Sequence, residues 1–109
     1  MSRHEQIEQE LAKGAKGIQE GNEGLARVCA RRAVTLGTRI LAARSGAPGW
    51  TGDAMFQLRR IQGEETFPLE IREAAQRLVT TVTQQDRVPM STDPIADARL
   101  ILAHLDQLP

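Results

Sequence analysis

The chain has 109 residues, the length of a single domain, and its fourteen basic side chains balance its fourteen acidic ones. That balance gives no overall charge argument for nucleic acid or for a membrane surface. No apolar run approaches the ~20 residues needed to span a bilayer, and the charged first residues lack the apolar stretch of a signal peptide. The single cysteine, Cys29, excludes an internal disulfide. These features predict one cytoplasmic domain, residues 1–109, that does not enter the membrane.

The first predicted helix covers residues 3–20. Ser2 and Glu5 have the spacing of a capping box. Apolar residues recur on one helical face at Ile7, Leu11 and Ile18. Gly14 and Gly17 each cost roughly 1 kcal/mol relative to alanine inside a helix. Since that cost is acceptable only where another backbone comes close, the two glycines predict tight packing against a neighbouring helix.

Gly21, Asn22 and Gly24 separate this helix from the next, and three interpretations are open. The apolar stripe stays in phase across them, as in one continuous helix, but residues 3–44 as a single rod would be about 60 Å long. A phosphate-binding loop would need a preceding strand, and none is predicted. Gly21 suits the left-handed residue that ends a helix, and Asn22 suits the N-cap of the next. We therefore predict a turn or hinge here, with a break or a sharp kink.

The second predicted helix covers residues 23–44 and has one apolar and one basic side. At helical spacing the apolar stripe comprises Leu25, Cys29, Ala33, Leu36 and Ile40. The opposite side, called here the basic arc, carries Arg27, Arg31, Arg32, Thr35, Thr38 and Arg39. Residues 24–52 contain five arginines and no acid. Such guanidinium groups suit phosphate contacts with nucleic acid, or they pair with acidic helices of the same or a second chain, which the neutral composition favours.

Three further helices are predicted from local signals. Asp53 or Thr51 caps a short helix over 54–62, and Pro68 suits the first turn of a helix over 68–84. A linker over 87–92 precedes Asp93 and Pro94, which open a helix over 94–107. No segment alternates with a period of two, so the fold class is all-α, a four- to five-helix bundle. The in-phase stripe and the glycines of the first helix predict association of two chains as a homodimer.

The segment "RLILAH", from Arg99 to His104, resembles the R-x4-6-H signature of HEPN domains, small helical bundles that often dimerise and that include metal-independent ribonucleases. The resemblance implies that Arg99 would orient or stabilise a phosphate and that His104 would transfer protons. Five residues on a regular helix are also roughly 140° apart. The alternative is therefore a His104 that occupies the last turn of its helix, where the helix dipole favours it.

The leading functional prediction is a small helical interaction or assembly module, with a HEPN-like nucleic-acid-binding or RNA-cleaving domain as the alternative. Its partner is a second copy of the chain or another protein. His4 and His104 lack metal-ligand spacing, so no metal and no cofactor are predicted. Cys29 is either a core residue or a reactive thiol. Trp50 either anchors its loop on the bundle or is an exposed contact residue.

Overall fold

A computed structural model describes residues 2–46, 50, 52–80 and 91–109, and every regular element among them is a helix. The five helices are α1 (Arg3–Gln19), α2 (Glu23–Ser45), α3 (Ala54–Gly63), α4 (Leu69–Val79) and α5 (Pro94–Gln107). The Cα radius of gyration is 13.2 Å, as a compact domain of about this length requires. The all-α prediction is confirmed.

Side-chain caps start four of the five helices. Ser2, Asn22, Asp53 and Asp93 each accept a hydrogen bond from the backbone N–H three residues later, at 2.9–3.1 Å. Asp53 is therefore the cap of α3. Pro68 precedes α4 as its N-cap residue and offers no side-chain bond. Since a cap needs only residues of its own turn, these helix starts follow directly from the local sequence.

The chain reverses between α1 and α2 instead of continuing as a rod. Gly21 has a φ of +77°, a left-handed conformation that glycine adopts without strain, and Asn22 then caps α2. Gly24 lies inside the first turn of α2. A Cβ placed on Gly14 would lie 3.1 Å from the Cβ of Cys29, so the predicted tight packing is real and occurs within one chain. The glycines therefore require no second chain to explain them.

The centre of the bundle is α2, which packs against α1, α3 and α5. The other main contacts join α3 to α4 and α4 to α5, while α1 and α5 touch each other only slightly. The largest fully buried apolar side chains are Leu11, Val34, Leu58, Ile61, Leu78 and Ile101. The core is aliphatic, and α1 and α5 lie side by side on α2.

Helix α4 is shorter than the 68–84 predicted from its apolar stripe. It ends at Val79, and Thr80 has an extended backbone with its hydroxyl donating to the Gln76 carbonyl at 2.8 Å. An arginine of α2, Arg31, donates from Nε to the Leu78 carbonyl at 2.7 Å and so satisfies an acceptor of the last turn. Residues 81–84 of the predicted helix and 87–90 of the predicted linker lie outside the described residues.

Trp50 is packed on the bundle, which confirms the first of its two predicted roles, the anchor, and not the exposed contact residue. Its side chain is 8% exposed and stacks on Phe67 with ring centroids 6.0 Å apart. The Arg60 guanidinium carbon lies 4.0 Å from the centre of the tryptophan ring, a cation–π contact. Large apolar side chains that remain exposed are Ile18, Val28, Phe56 and Leu69. The predicted inward position of Ile18 is therefore wrong, because α1 ends within two residues of it.

Candidate functional site

The basic arc of α2 is not one solvated face. Thr35 is 8% exposed and Thr38 is fully buried, with the Thr38 hydroxyl donating to the Thr35 carbonyl at 2.8 Å. The arc is covered because α2 runs through the centre of the bundle and meets neighbouring helices on more than one side. The prediction of a continuous arc opposite the core is therefore wrong, and its four arginines divide into two pairs.

Arg27 and Arg31 face inward and bind backbone carbonyls. Arg27 donates to the Ser91 carbonyl at 3.4 Å and pairs with Glu23 at 3.5 Å, while Arg31 binds the end of α4 as described. Burial, followed by repulsion from Arg27, lowers the pKa of the Arg31 guanidinium. Arg31 thus holds α2 against the end of α4, while Arg27 joins α2 to Ser91, which precedes α5.

Arg77, Asp97 and Ser91 form a polar network beside this pair that sequence patterns did not indicate. The Arg77 guanidinium donates two hydrogen bonds to the Asp97 carboxylate, at 2.8 and 3.1 Å. The buried Ser91 hydroxyl donates to the same carboxylate at 2.6 Å. The hydrogen bond to Asp97 raises the pKa of Arg77 although burial opposes that change. The network joins the last turn of α4 to the first turn of α5.

Arg99 and His104 have different neighbours. Arg99 donates through both terminal nitrogens to the Glu8 carboxylate of α1, each at 3.3 Å, and both side chains are more than half exposed. The His104 ring meets the Phe67 ring edge-to-face with centroids 5.0 Å apart, and its buried Nε2 has no hydrogen-bond partner. Within one chain the two side chains therefore do not share a hydrogen-bond partner or a cleft.

The shallow contact between α1 and α5 leaves a cleft of about 320 Å³, called here the α1–α5 cleft. Its floor is aliphatic and comprises Ile7, Leu11, Ile40, Leu41, Leu102 and Leu105. Its rim carries His4, Glu8, Arg44, Arg99 and Asp106. Arg44 also donates to the Leu105 and Leu108 carbonyls at 2.9 and 2.6 Å, which closes the end of α5. The cleft thus combines an apolar floor with charges of both signs.

The remaining two arginines of the arc line a second pocket of about 430 Å³ between α1, α2 and the start of α3, called here the polar pocket. Its lining comprises Gln6, Gln9, Glu10, Arg32, Thr35, Leu36, Arg39, Asp53 and Ala54. Arg32 and Arg39 are exposed and form no ion pair within the described residues. Arg32 and Arg39 are thus the arginines of the arc that remain available to a ligand.

Cys29 is fully buried next to the polar pocket, behind Glu10. Burial and then the hydrogen bond to Glu10 raise the pKa of its thiol. Because thiolate is the reactive form, both causes oppose reactivity, and the core interpretation of Cys29 is favoured over a reactive thiol.

No further function is indicated by metal-binding clusters, by membrane-spanning helices or by similarity to known proteins. Among the residues that the structure describes, no group of three or more His, Cys, Asp or Glu side chains is placed to hold a metal ion. Among the described helices none has the length and apolar content to cross a membrane. No protein family, characterised protein or solved structure matches the chain.

Proposed function

We propose that the chain is a helical assembly module that forms a homodimer through the α1–α5 cleft. The single observation that carries this proposal is the cleft itself. Helices α1 and α5 both rest on α2 but scarcely meet, so the groove between them lies where a further helix would pack in a bundle. A lone buried thiol suits a reducing compartment, so a cytoplasmic location is part of the proposal.

A second copy of the chain suits the rim of the cleft electrostatically. The acids Glu8 and Asp106 and the bases Arg44 and Arg99 lie around one opening. A two-fold interface places the same surface on both sides, so it must be self-complementary, and a rim with equal numbers of both charges meets that requirement. The exposed pair of Glu8 with Arg99 is worth at most about 1 kcal/mol within the chain. A dimer contains two such pairs, one in each protomer. Exchanging them for two equivalent pairs between the protomers therefore costs little.

Charge reversal tests the dimer directly, because the proposal brings Glu8 of one protomer to Arg99 of its partner. We expect Glu8→Arg alone, and Arg99→Glu alone, to weaken dimerisation roughly tenfold or more, since two like-charge contacts replace two attractive ones. An equimolar mixture of the two variants should recover dimerisation, because every such contact in the mixed dimer joins opposite charges. Sedimentation velocity over a concentration series measures all three cases.

Arg59→Glu, which reverses an exposed cation of α3 outside the cleft, is the matched control and should dimerise like the parent chain. The proposal is wrong if the parent sediments as a 12.0 kDa monomer throughout the series. It is also wrong if the mixture associates no better than either variant alone.

An RNA-cleaving, HEPN-like domain is the alternative function and has less support from the geometry. Arg99 is paired with Glu8, and the buried Nε2 of His104 is closed off from solvent. We therefore expect no cleavage of a mixed-sequence RNA by the purified chain in a gel assay without metal. Cleavage by the parent chain that disappears in a His104→Ala variant would instead support the ribonuclease and reverse this preference.

A further inference from the structure

The polar pocket contains two cations that the fold does not use. Arg32 and Arg39 make no side-chain hydrogen bond or ion pair with the described residues around them, unlike Arg27, Arg31 and Arg44 of the same helix. The donors that face this pocket therefore exceed what the chain itself satisfies.

The acids of the pocket do not neutralise these donors. Asp53 is engaged as the cap of α3, accepting from the Phe56 N–H at 2.9 Å. Glu10 is hydrogen-bonded by the Cys29 thiol. Its carboxylate oxygen Oε2 is buried and accepts no hydrogen bond from the described residues. Because that oxygen is closed off from solvent, it does not meet the guanidinium groups at the surface of the pocket.

The spacing of the two arginines indicates the shape of the ligand. Positions 32 and 39 are two turns apart on α2, about 10 Å along its axis, and their guanidinium groups bind carboxylate or phosphate with two parallel hydrogen bonds. Two anionic groups on one small molecule are matched to two cations at this separation. A volume of about 430 Å³ lies within the range of roughly 300–1,000 Å³ for small-molecule pockets.

We propose that the polar pocket binds a small organic dianion. Arg32 and Arg39 each hold one of its two anionic groups. The amide side chains of Gln6 and Gln9 supply further polar contacts on the α1 side. The pocket lies away from the α1–α5 cleft, so the inference stands whether or not the chain dimerises.

Titration calorimetry of the full-length chain at low ionic strength tests the site with L-malate, which has two carboxylates and one hydroxyl. We expect saturable binding at millimolar concentration or below. Butyrate, which has a single carboxylate on a chain of the same length, should bind roughly tenfold more weakly because one arginine is left without its anionic group. Arg32→Gln and Arg39→Gln should each reduce malate affinity at least tenfold, without loss of folding because both side chains are exposed.

Two comparisons make the test specific. Arg59→Gln removes an exposed cation elsewhere and should leave malate binding unchanged. The proposal is overturned if malate gives no saturable heat or if Arg59→Gln weakens binding as much as Arg32→Gln. It is overturned equally if inorganic phosphate, a simple anion, binds as tightly as malate.

Discussion

Replacing Asp97 with alanine will lower the free energy of unfolding by about 2 to 3 kcal/mol. The substitution removes the acceptor for both hydrogen bonds from Arg77 and for the buried Ser91 hydroxyl. Breaking a fully buried ion pair costs about 3–5 kcal/mol because the remaining charge loses its partner. The Arg77 side chain is 35% exposed, so water relieves part of this penalty. The expected loss is therefore about 2 to 3 kcal/mol, below the cost for a fully buried pair.

Urea unfolding followed by circular dichroism measures this loss. Glu65→Ala removes an exposed acid between α3 and α4, outside both pockets, and should change the stability by no more than about 0.5 kcal/mol. Asp97→Asn keeps acceptor capacity for Ser91 but loses the charge, so its effect should lie between those of the other two. A loss below about 1 kcal/mol in Asp97→Ala would show that the network contributes little to the junction of α4 and α5.

Gly37→Val will destabilise the bundle by about 1 kcal/mol through overpacking. Gly37 is buried where α5 crosses α2, and a Cβ at this position would lie 2.5 Å from Cδ2 of Leu102 and 3.4 Å from Cδ1 of Leu105. Two further methyl groups leave no space for Leu102 in its present position. Because Leu102 lines the α1–α5 cleft, its side chain must turn into the cleft and lose part of its contact with α2.

Gly24→Val in the same helix is the matched control. A Cβ there meets only the Asn22 Oδ1 atom at 3.8 Å, so valine should be neutral or slightly stabilising compared with glycine. Combining Gly37→Val with Leu102→Ala should cost less than the sum of the two single changes, because the alanine vacates the contested space. Equal stability of Gly37→Val and Gly24→Val would contradict the close approach of α5 to α2.

The local sequence was sufficient to place the helices but not to define all their ends. Ser2, Asn22 and Asp93 were correctly identified as caps because each acts on an N–H only three residues away. The apolar stripe does not indicate the end of α4, where the Leu78 carbonyl accepts from Arg31 of α2, 47 residues away in the chain. Interactions between distant segments leave no periodic trace in the sequence.

The candidate sites were less predictable for the same reason. The sequence predicts that the basic arc of α2 is one surface. Neighbouring helices bury Thr35 and Thr38 and so divide this surface. Among the described contacts of the arc, the side chains of Arg32 and Arg39 form no hydrogen bond or ion pair. They lie roughly 100° around the helix from Arg27 and Arg31, but this spacing does not show which of the two pairs the neighbouring helices cover. The partner of Arg99 is on α1, 91 residues earlier, so the pairing that sets its role is invisible at the level of a six-residue motif.

The short turn at Gly21 and Asn22 has a consequence for the order of folding. It joins two long helices whose mutual contacts are therefore close in the sequence, so closing them into a hairpin requires little loss of chain entropy. Contacts of α2 with α5 close a much longer loop and form more slowly. We therefore expect the α1–α2 hairpin to form before the contacts with α5 are made.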